Sequence, residues 1–208
     1  MLDYTRKKNA ENDDLNVWHT TVLSNVAFAG KRVLDVGAGT GRFLEVVRTA
    51  GATVFAVDPN PLHADFFQRR NIEHEIGMLR DDVAFEPDII TCFEVIEHVY
   101  DPNPLFDAAR RLLSKRGGEL IVSTPNAFNA MRLLRFATTQ THHDPLLDAV
   151  SLGAGAEHIR LYSFRLVRDL LRKHGFSDIR PIGGMPGRRY LSHGIVMRGE
   201  IPAAPREV

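Results

Sequence analysis

Apolar positions along the chain fall into two rhythms. Continuous apolar runs predict buried strands at residues 32–36, 53–58, 88–93 and 119–124. Shorter runs at residues 72–76, 179–182 and 194–198 predict three more. Between them, residues 42–50, 62–70, 103–113 and 163–174 carry apolar side chains at helical spacing. In the last of these, Phe164, Leu166, Val167, Leu170 and Leu171 read as the buried stripe, and Gly175 as its end. A further helix is expected within residues 15–28, through Val17, Val22, Leu23 and Val26. Strands that alternate with helices of this length predict a mostly parallel sheet covered by helices on both faces.

After Pro125 the rhythm breaks. Residues 126–160 hold one short helical run near 131–136, the pair His142 and His143, and Gly153-Ala154-Gly155. An interruption of that length inside a compact domain reads as a lid or binding loop. The expected organisation is a helical cap over residues 1–29 and a ligand-binding half over 30–125. A lid or substrate insertion over 126–160 follows, and residues 161–208 return to the same domain.

Composition adds boundaries to this picture. Lys plus Arg equals Asp plus Glu at 26 each, so the chain has no long-range attraction for phosphate backbones or anionic lipid. That argues against nucleic acid and for a small-molecule partner. Cys92 is the only cysteine and cannot form an internal disulfide, which points to a reducing, cytoplasmic setting. No apolar run is long enough to span a bilayer, and the first fifteen residues carry no apolar leader core.

The candidate chemistry begins where the first strand turns into a helix, at Asp35-Val36-Gly37-Ala38-Gly39-Thr40-Gly41. Glycines there let backbone approach a ligand closely. A dinucleotide fingerprint requires a third glycine three places after the second, and that place is Arg42, so the nicotinamide pattern fails. Asp35 would repel a pyrophosphate but suits a cation such as the ammonium of a methionine moiety. Asp58 ends the second strand and can accept hydrogen bonds from both hydroxyls of a ribose.

On these residues the chain resembles the class I S-adenosylmethionine-dependent methyltransferases, with Val33 to Gly41 similar to their motif I and Asp58 to the acid of their motif II. The likeness runs from about residue 30 to residue 198. It implies a Rossmann-like, seven-stranded sheet with an antiparallel last strand, and S-adenosylmethionine as cofactor, released as S-adenosylhomocysteine. It also implies that Gly37, Ala38, Gly39 and Gly41 cradle the methionine part, that Asp58 holds the ribose, and that Pro59 borders the adenosine. The adenine would meet Met78 and Leu79, although Gly77-Met78-Leu79-Arg80 departs from the acidic pair common there.

The end of the fourth strand carries the second signal, Phe93-Glu94-Val95-Ile96-Glu97-His98. Strand carboxyl ends form the ligand crevice of such a sheet, so Phe93 and Glu94 are expected beside the cofactor. Glu94, Glu97 and His98 are spaced i, i+3 and i+4 and would share one face of a helical turn. Such a face could hold Mg, Mn or Zn. Equally, His98 could serve as a general base, with Glu97 beside it. Residues 93–102 with Ser123-Thr124-Pro125-Asn126 resemble the O-methyltransferases of ubiquinone biosynthesis and related polysaccharide and natural-product enzymes. Some members use this cluster as a magnesium site. The small-RNA 2′-O-methyltransferases complete a similar cluster with a later histidine, a place that His158 or His143 would fill here.

The function expected from the resemblance is O-methylation of a phenol, quinone precursor or sugar. N-methylation of a small amine and a non-catalytic cofactor-binding module are the alternatives. Tyr4, Trp18, His19, His142, His143, His158, Arg160 and Tyr162 are candidates for the pocket cover.

Overall fold

The computed structural model describes residues 14–139, 158–183 and 191–204. Seven strands form one sheet: β1 (Arg32–Val36), β2 (Thr53–Asp58), β3 (Glu73–Ile76), β4 (Ile89–Phe93), β5 (Gly118–Pro125), β6 (Ser177–Pro181) and β7 (Gly194–Ile201), in the order β3-β2-β1-β4-β5-β7-β6. β7 runs antiparallel to both of its neighbours, while β1 to β5 pair in parallel. The expected α/β architecture with a reversed last strand is therefore present.

Residues of the central strands are buried almost without break, as in β4, where every residue is buried. Parallel strands covered on both faces have no side left for water, which is why their sequence reads as continuous apolar runs. Side chains alternate between the two layers. Leu34 and Val36 enter one core with Ile90, Cys92, Leu120 and Val122, and Val33 enters the other with Val54, Ala56 and Ile121. The helices α1 (Val17–Leu23), α2 (Arg42–Thr49) and α3 (Ala64–Arg69) close the second core through Val22, Phe43, Leu44, Val47 and Phe67. The first is closed by α4 (Asn103–Ser114) and α6 (Phe164–Lys173), and α5 (Ala130–Thr139) follows β5.

Three expectations change in detail. The second predicted helix opens as a 3-10 turn, Pro61–His63, because Pro61 lacks an amide hydrogen and Asn60 accepts the Leu62 amide at 3.1 Å. Within α6, Val167 and Leu171 are fully buried but Leu166 is 47% exposed. One turn of helix separates the two buried positions, and Leu166 lies off that line. The run predicted at 131–136 is longer, and its Met131, Leu133, Leu134 and Phe136 are exposed. Among the described residues no helix is long and apolar enough to cross a membrane.

α1 is fastened to the sheet by a close approach. A Cβ on Gly194 would lie 1.9 Å from the Trp18 ring, so the absence of a side chain there makes room for the indole. Gly194→Ala is expected to displace Trp18 and destabilise the protein by about 1–3 kcal/mol, as overpacking does. Chemical denaturation checks this, and a midpoint equal to that of the parent would contradict it.

Candidate functional site

The strand order reverses between β1 and β4, and in open α/β sheets the crevice at that point, outside the carboxyl ends, is where ligands bind. Val36 of β1 pairs with Cys92 of β4, so the turns that leave both strands start side by side. The glycine turn leaves β1, and the Glu94 to His98 segment leaves β4.

The glycine turn is pinned by its own amides. Gly37 donates to Val57 O at 2.8 Å, Gly39 to Asp58 Oδ2 at 2.9 Å, and Gly41 to Ala38 O at 2.9 Å. Gly37 has φ +71°, and a Cβ there would sit 2.4 Å from Val95 Cγ2. Both facts require glycine at this position. A cavity of about 300 Å³ opens beside the turn, and Asp35, Gly37, Ala38, Gly39 and Phe93 all line it. Its far wall is the N-terminal segment, through Leu15, Asn16 and His19. Asp14, Thr40, Arg42 and Phe43 complete it. Gly41 sits at the base of α2 as its N-cap residue, against Ile72 and Phe67.

Asp35 is 3% exposed and accepts a hydrogen bond from Thr91 Oγ1 at 2.7 Å. Burial pushes its carboxyl up to about 7, against the Thr91 bond and with a smaller contribution from the nearby Asp58 charge. Asp58 is also buried, and its oxygens hold local structure. Oδ2 takes the Gly39 amide, Oδ1 takes the Asn60 amide at 2.8 Å, and His63 Nδ1 lies 3.0 Å from Oδ1. The Gly77 amide donates to Asp58 O at 2.9 Å, which brings the Met78 turn alongside. There Met78 is 51% exposed, whereas the Leu79 side chain enters the core with Val83 and Phe85. Pro59 is exposed beside Asp58.

The helical turn expected at Glu94 is not formed. Glu94 has a left-handed φ of +54°, and residues 95–98 make a turn closed by His98 N to Val95 O at 2.9 Å. The shared face of Glu94, Glu97 and His98 is thereby lost. The Glu94 carboxylate instead accepts from Ser123 Oγ at 3.1 Å and from the Trp18 side chain. Burial pushes it up to about 7, with those two bonds and Arg132 opposing. Glu97 and His98 are joined by His158: one atom of each lies within 4.8 Å of the others, with the two imidazole rings 4.9 Å apart. Ile159 N and Arg160 N both donate to Glu97 O, at 2.8 and 3.1 Å, and this backbone staple delivers His158. Arg160 also donates to Val99 O and Tyr100 O. Of the four residues expected as metal ligands, three converge, and Glu94 stands outside the cluster.

Among the cover candidates, Trp18 packs against the core and bonds Glu94, and His19 lines the cavity. Tyr162 is buried, with its hydroxyl 3.4 Å from Ile96 O. Tyr4, His142 and His143 lie outside the described residues.

A sheet with this order and a reversed β7, with a glycine turn and an acid-capped β2 at its switch point, defines a Rossmann-like methyltransferase fold. The chain belongs to the methyltransferase domain family, whose model matches residues 15–180. It is 39% identical over 108 residues to a ubiquinone biosynthesis O-methyltransferase of Acinetobacter baylyi, an alignment covering 47% of this chain and 45% of that protein. The chain spans about half the length of the curated relatives it matches. Among solved structures it superposes on a SAM-dependent methyltransferase of Thermotoga maritima with a TM-score of 0.64 at 20% identity, covering 88% of this chain and 87% of that one. It also superposes on the magnesium protoporphyrin IX methyltransferase of Synechocystis PCC 6803 with bound SAH, with a TM-score of 0.60 at 15% identity, covering 94% and 92%.

Proposed function

We propose that the protein transfers the methyl group of S-adenosylmethionine to an oxygen of a small molecule, a phenol or quinone precursor or a sugar. The observation that carries this reading is the adjacency of two unlike sites at the switch point. A cavity with a buried acid suits a cationic amino-acid end, and a Glu97, His98 and His158 cluster at the next strand end suits proton removal. The names of the curated relatives favour oxygen over nitrogen as acceptor.

In this reading Asp35 pairs with the cofactor ammonium, Gly37, Ala38 and Gly39 shape the methionine seat, and Asp58 meets the ribose. The described parts of the cap and insertion, residues 14–29, 126–139 and 158–160, cover the acceptor. The sulfonium already carries the leaving-group activation, so the protein must align the acceptor and take up its proton. A phenol has a pKa near ~10, within reach of a histidine base at neutral pH. His98, exposed at the tip of its turn, accepts that proton, and buried Glu97 beside it supports the imidazolium.

The same three side chains fit a divalent cation. Two imidazole nitrogens and one carboxylate oxygen suit Mn or Zn better than Mg, which prefers oxygen ligands. Such a cation would supply Lewis-acid charge to lower the acceptor hydroxyl's pKa. Turnover of a panel of catechols and sugar nucleotides, with and without EDTA, tests both parts. The expected outcome is methylation of an oxygen acceptor that EDTA leaves intact; weakening by EDTA with restoration by Mn would instead make Glu97, His98 and His158 cation ligands. A metal-free enzyme insensitive to EDTA would remove the cation and leave His98 as base. No turnover on any hydroxyl acceptor, with turnover on amines, would overturn the acceptor class.

A further inference from the structure

The cavity beside the glycine turn has to hold both charges of an amino-acid end, and three of the turn's amides are already engaged. The amides of Gly37, Gly39 and Gly41 are spent on Val57 O, Asp58 Oδ2 and Ala38 O. Arg42 is partly neutralised by Glu45 at 2.6 Å, and its side chain is 44% exposed. His19 lines the same cavity. Its ring is fixed from three sides. It stacks on Phe43 with 5.2 Å between centroids, meets Phe93 edge-on at 4.8 Å, and takes the Asn16 amide on Nδ1 at 3.2 Å.

That last bond decides the tautomer. A backbone N–H can donate only to an unprotonated nitrogen, so the ring proton sits on Nε2. Burial pulls the imidazole down to about 4, so the ring is neutral at physiological pH and keeps this tautomer. Nδ1 is thus occupied, and Nε2–H is the one donor left on a ring that lines the cavity. We propose that His19 is a cofactor-binding residue whose Nε2–H donates to the carboxylate of the cofactor's methionine end, the ammonium of which pairs with Asp35 in the same cavity. This rests on the cavity being the S-adenosylmethionine seat. It makes the cap helix α1 part of the cofactor site.

The test is calorimetric binding of S-adenosylhomocysteine and of its decarboxylated analogue, which keeps the ammonium and lacks only the carboxylate. Two variants of the full chain are compared. H19F keeps the aromatic stack and removes both nitrogens. H19Q keeps an acceptor for the Asn16 amide and an N–H donor, as glutamine does at this position of a capping box. A hydrogen bond to a charged group predicts that H19F loses about 10- to 100-fold in affinity for S-adenosylhomocysteine. It should lose no more than about twofold for the analogue, and H19Q should recover most of the loss. Equal weakening of both ligands, or parent-like binding by H19F, would overturn the assignment. In the wild-type protein the His19 Nε2 proton resonance should shift on adding S-adenosylhomocysteine and stay in place with the analogue. This measurement decides the matter even if H19F does not fold, and an unmoved resonance rejects the proposal. Wild-type protein that binds neither ligand would overturn the cofactor reading itself, an outcome distinct from failure of the His19 bond.

Discussion

Replacing His98 by alanine is expected to lower turnover by about 10²- to 10⁴-fold, the range of a lost general base, while S-adenosylmethionine affinity stays within about twofold. The two effects separate because the structure separates the parts. His98 is exposed at the tip of the turn after β4, and it is absent from the wall of the cavity beside the glycine turn. The turn itself does not depend on the imidazole. His98 N donates to Val95 O, and Glu97 O is held by the amides of Ile159 and Arg160, so the main chain survives the substitution. Single-turnover kinetics with saturating cofactor measure the chemical step, and equilibrium binding measures the cofactor. A base gives a limb in the pH–rate profile that H98A lacks, whereas a ligand to a cation gives a deficit that added Mn partly restores. Turnover equal to that of the parent in H98A would sink both roles.

How much of this was legible before the fold was known follows from what each signal depends on. The strands at 32–36 and 53–58 lie where the apolar runs put them, because burial on both faces leaves no other reading of such runs. The glycine turn was legible because positive φ at Gly37, Gly39 and Gly41 is written into residue type. Glu94 was not, for the converse reason. Its φ of +54° is imposed by β5 and α1, through Ser123 and Trp18, and no local feature of a glutamate announces it. The helical face drawn from the spacing of Glu94, Glu97 and His98 therefore dissolved. The convergence of His158 on that segment depends on two backbone bonds spanning some sixty residues, which periodicity cannot express. The resemblance to small-RNA methyltransferases supplied that expectation instead. His19 shows a middle case. The Asn16 cap was readable from residue type, but its effect on the tautomer required seeing which ring nitrogen the amide meets.

Asp35→Asn is expected to stabilise the cofactor-free protein and to cripple cofactor binding, with both effects tied to the same buried carboxyl. Its folded-state pKa is raised to about 7 from 3.8. In the unfolded chain the group ionises from about pH 4 upward. The folded state must therefore bear an unfavourable ionisation that grows as pH rises from about 4 to 7 and is constant above that. A rise from 3.8 to about 7 corresponds to a few kcal/mol at most. Asparagine keeps an oxygen for the Thr91 hydroxyl and carries no charge. D35N and the parent should therefore melt together near pH 4 and diverge as pH rises, the variant being the more stable at pH 8. Thermal melts across that range check the sign. Binding runs the other way. An ammonium recruits the ionised acid, so the parent's affinity should climb with pH until about 7 and then level, releasing a proton on binding below that point. D35N should bind about 10- to 100-fold more weakly, as for a lost charge-assisted hydrogen bond, and show no such climb. Melting curves that coincide at every pH would show that Asp35 is not held at a cost. Parent-like affinity in D35N would show that the ammonium is bound elsewhere. If both expectations hold, the residue is a buried acid that the fold would be more stable without, retained because an empty neutral pocket cannot grip a cation.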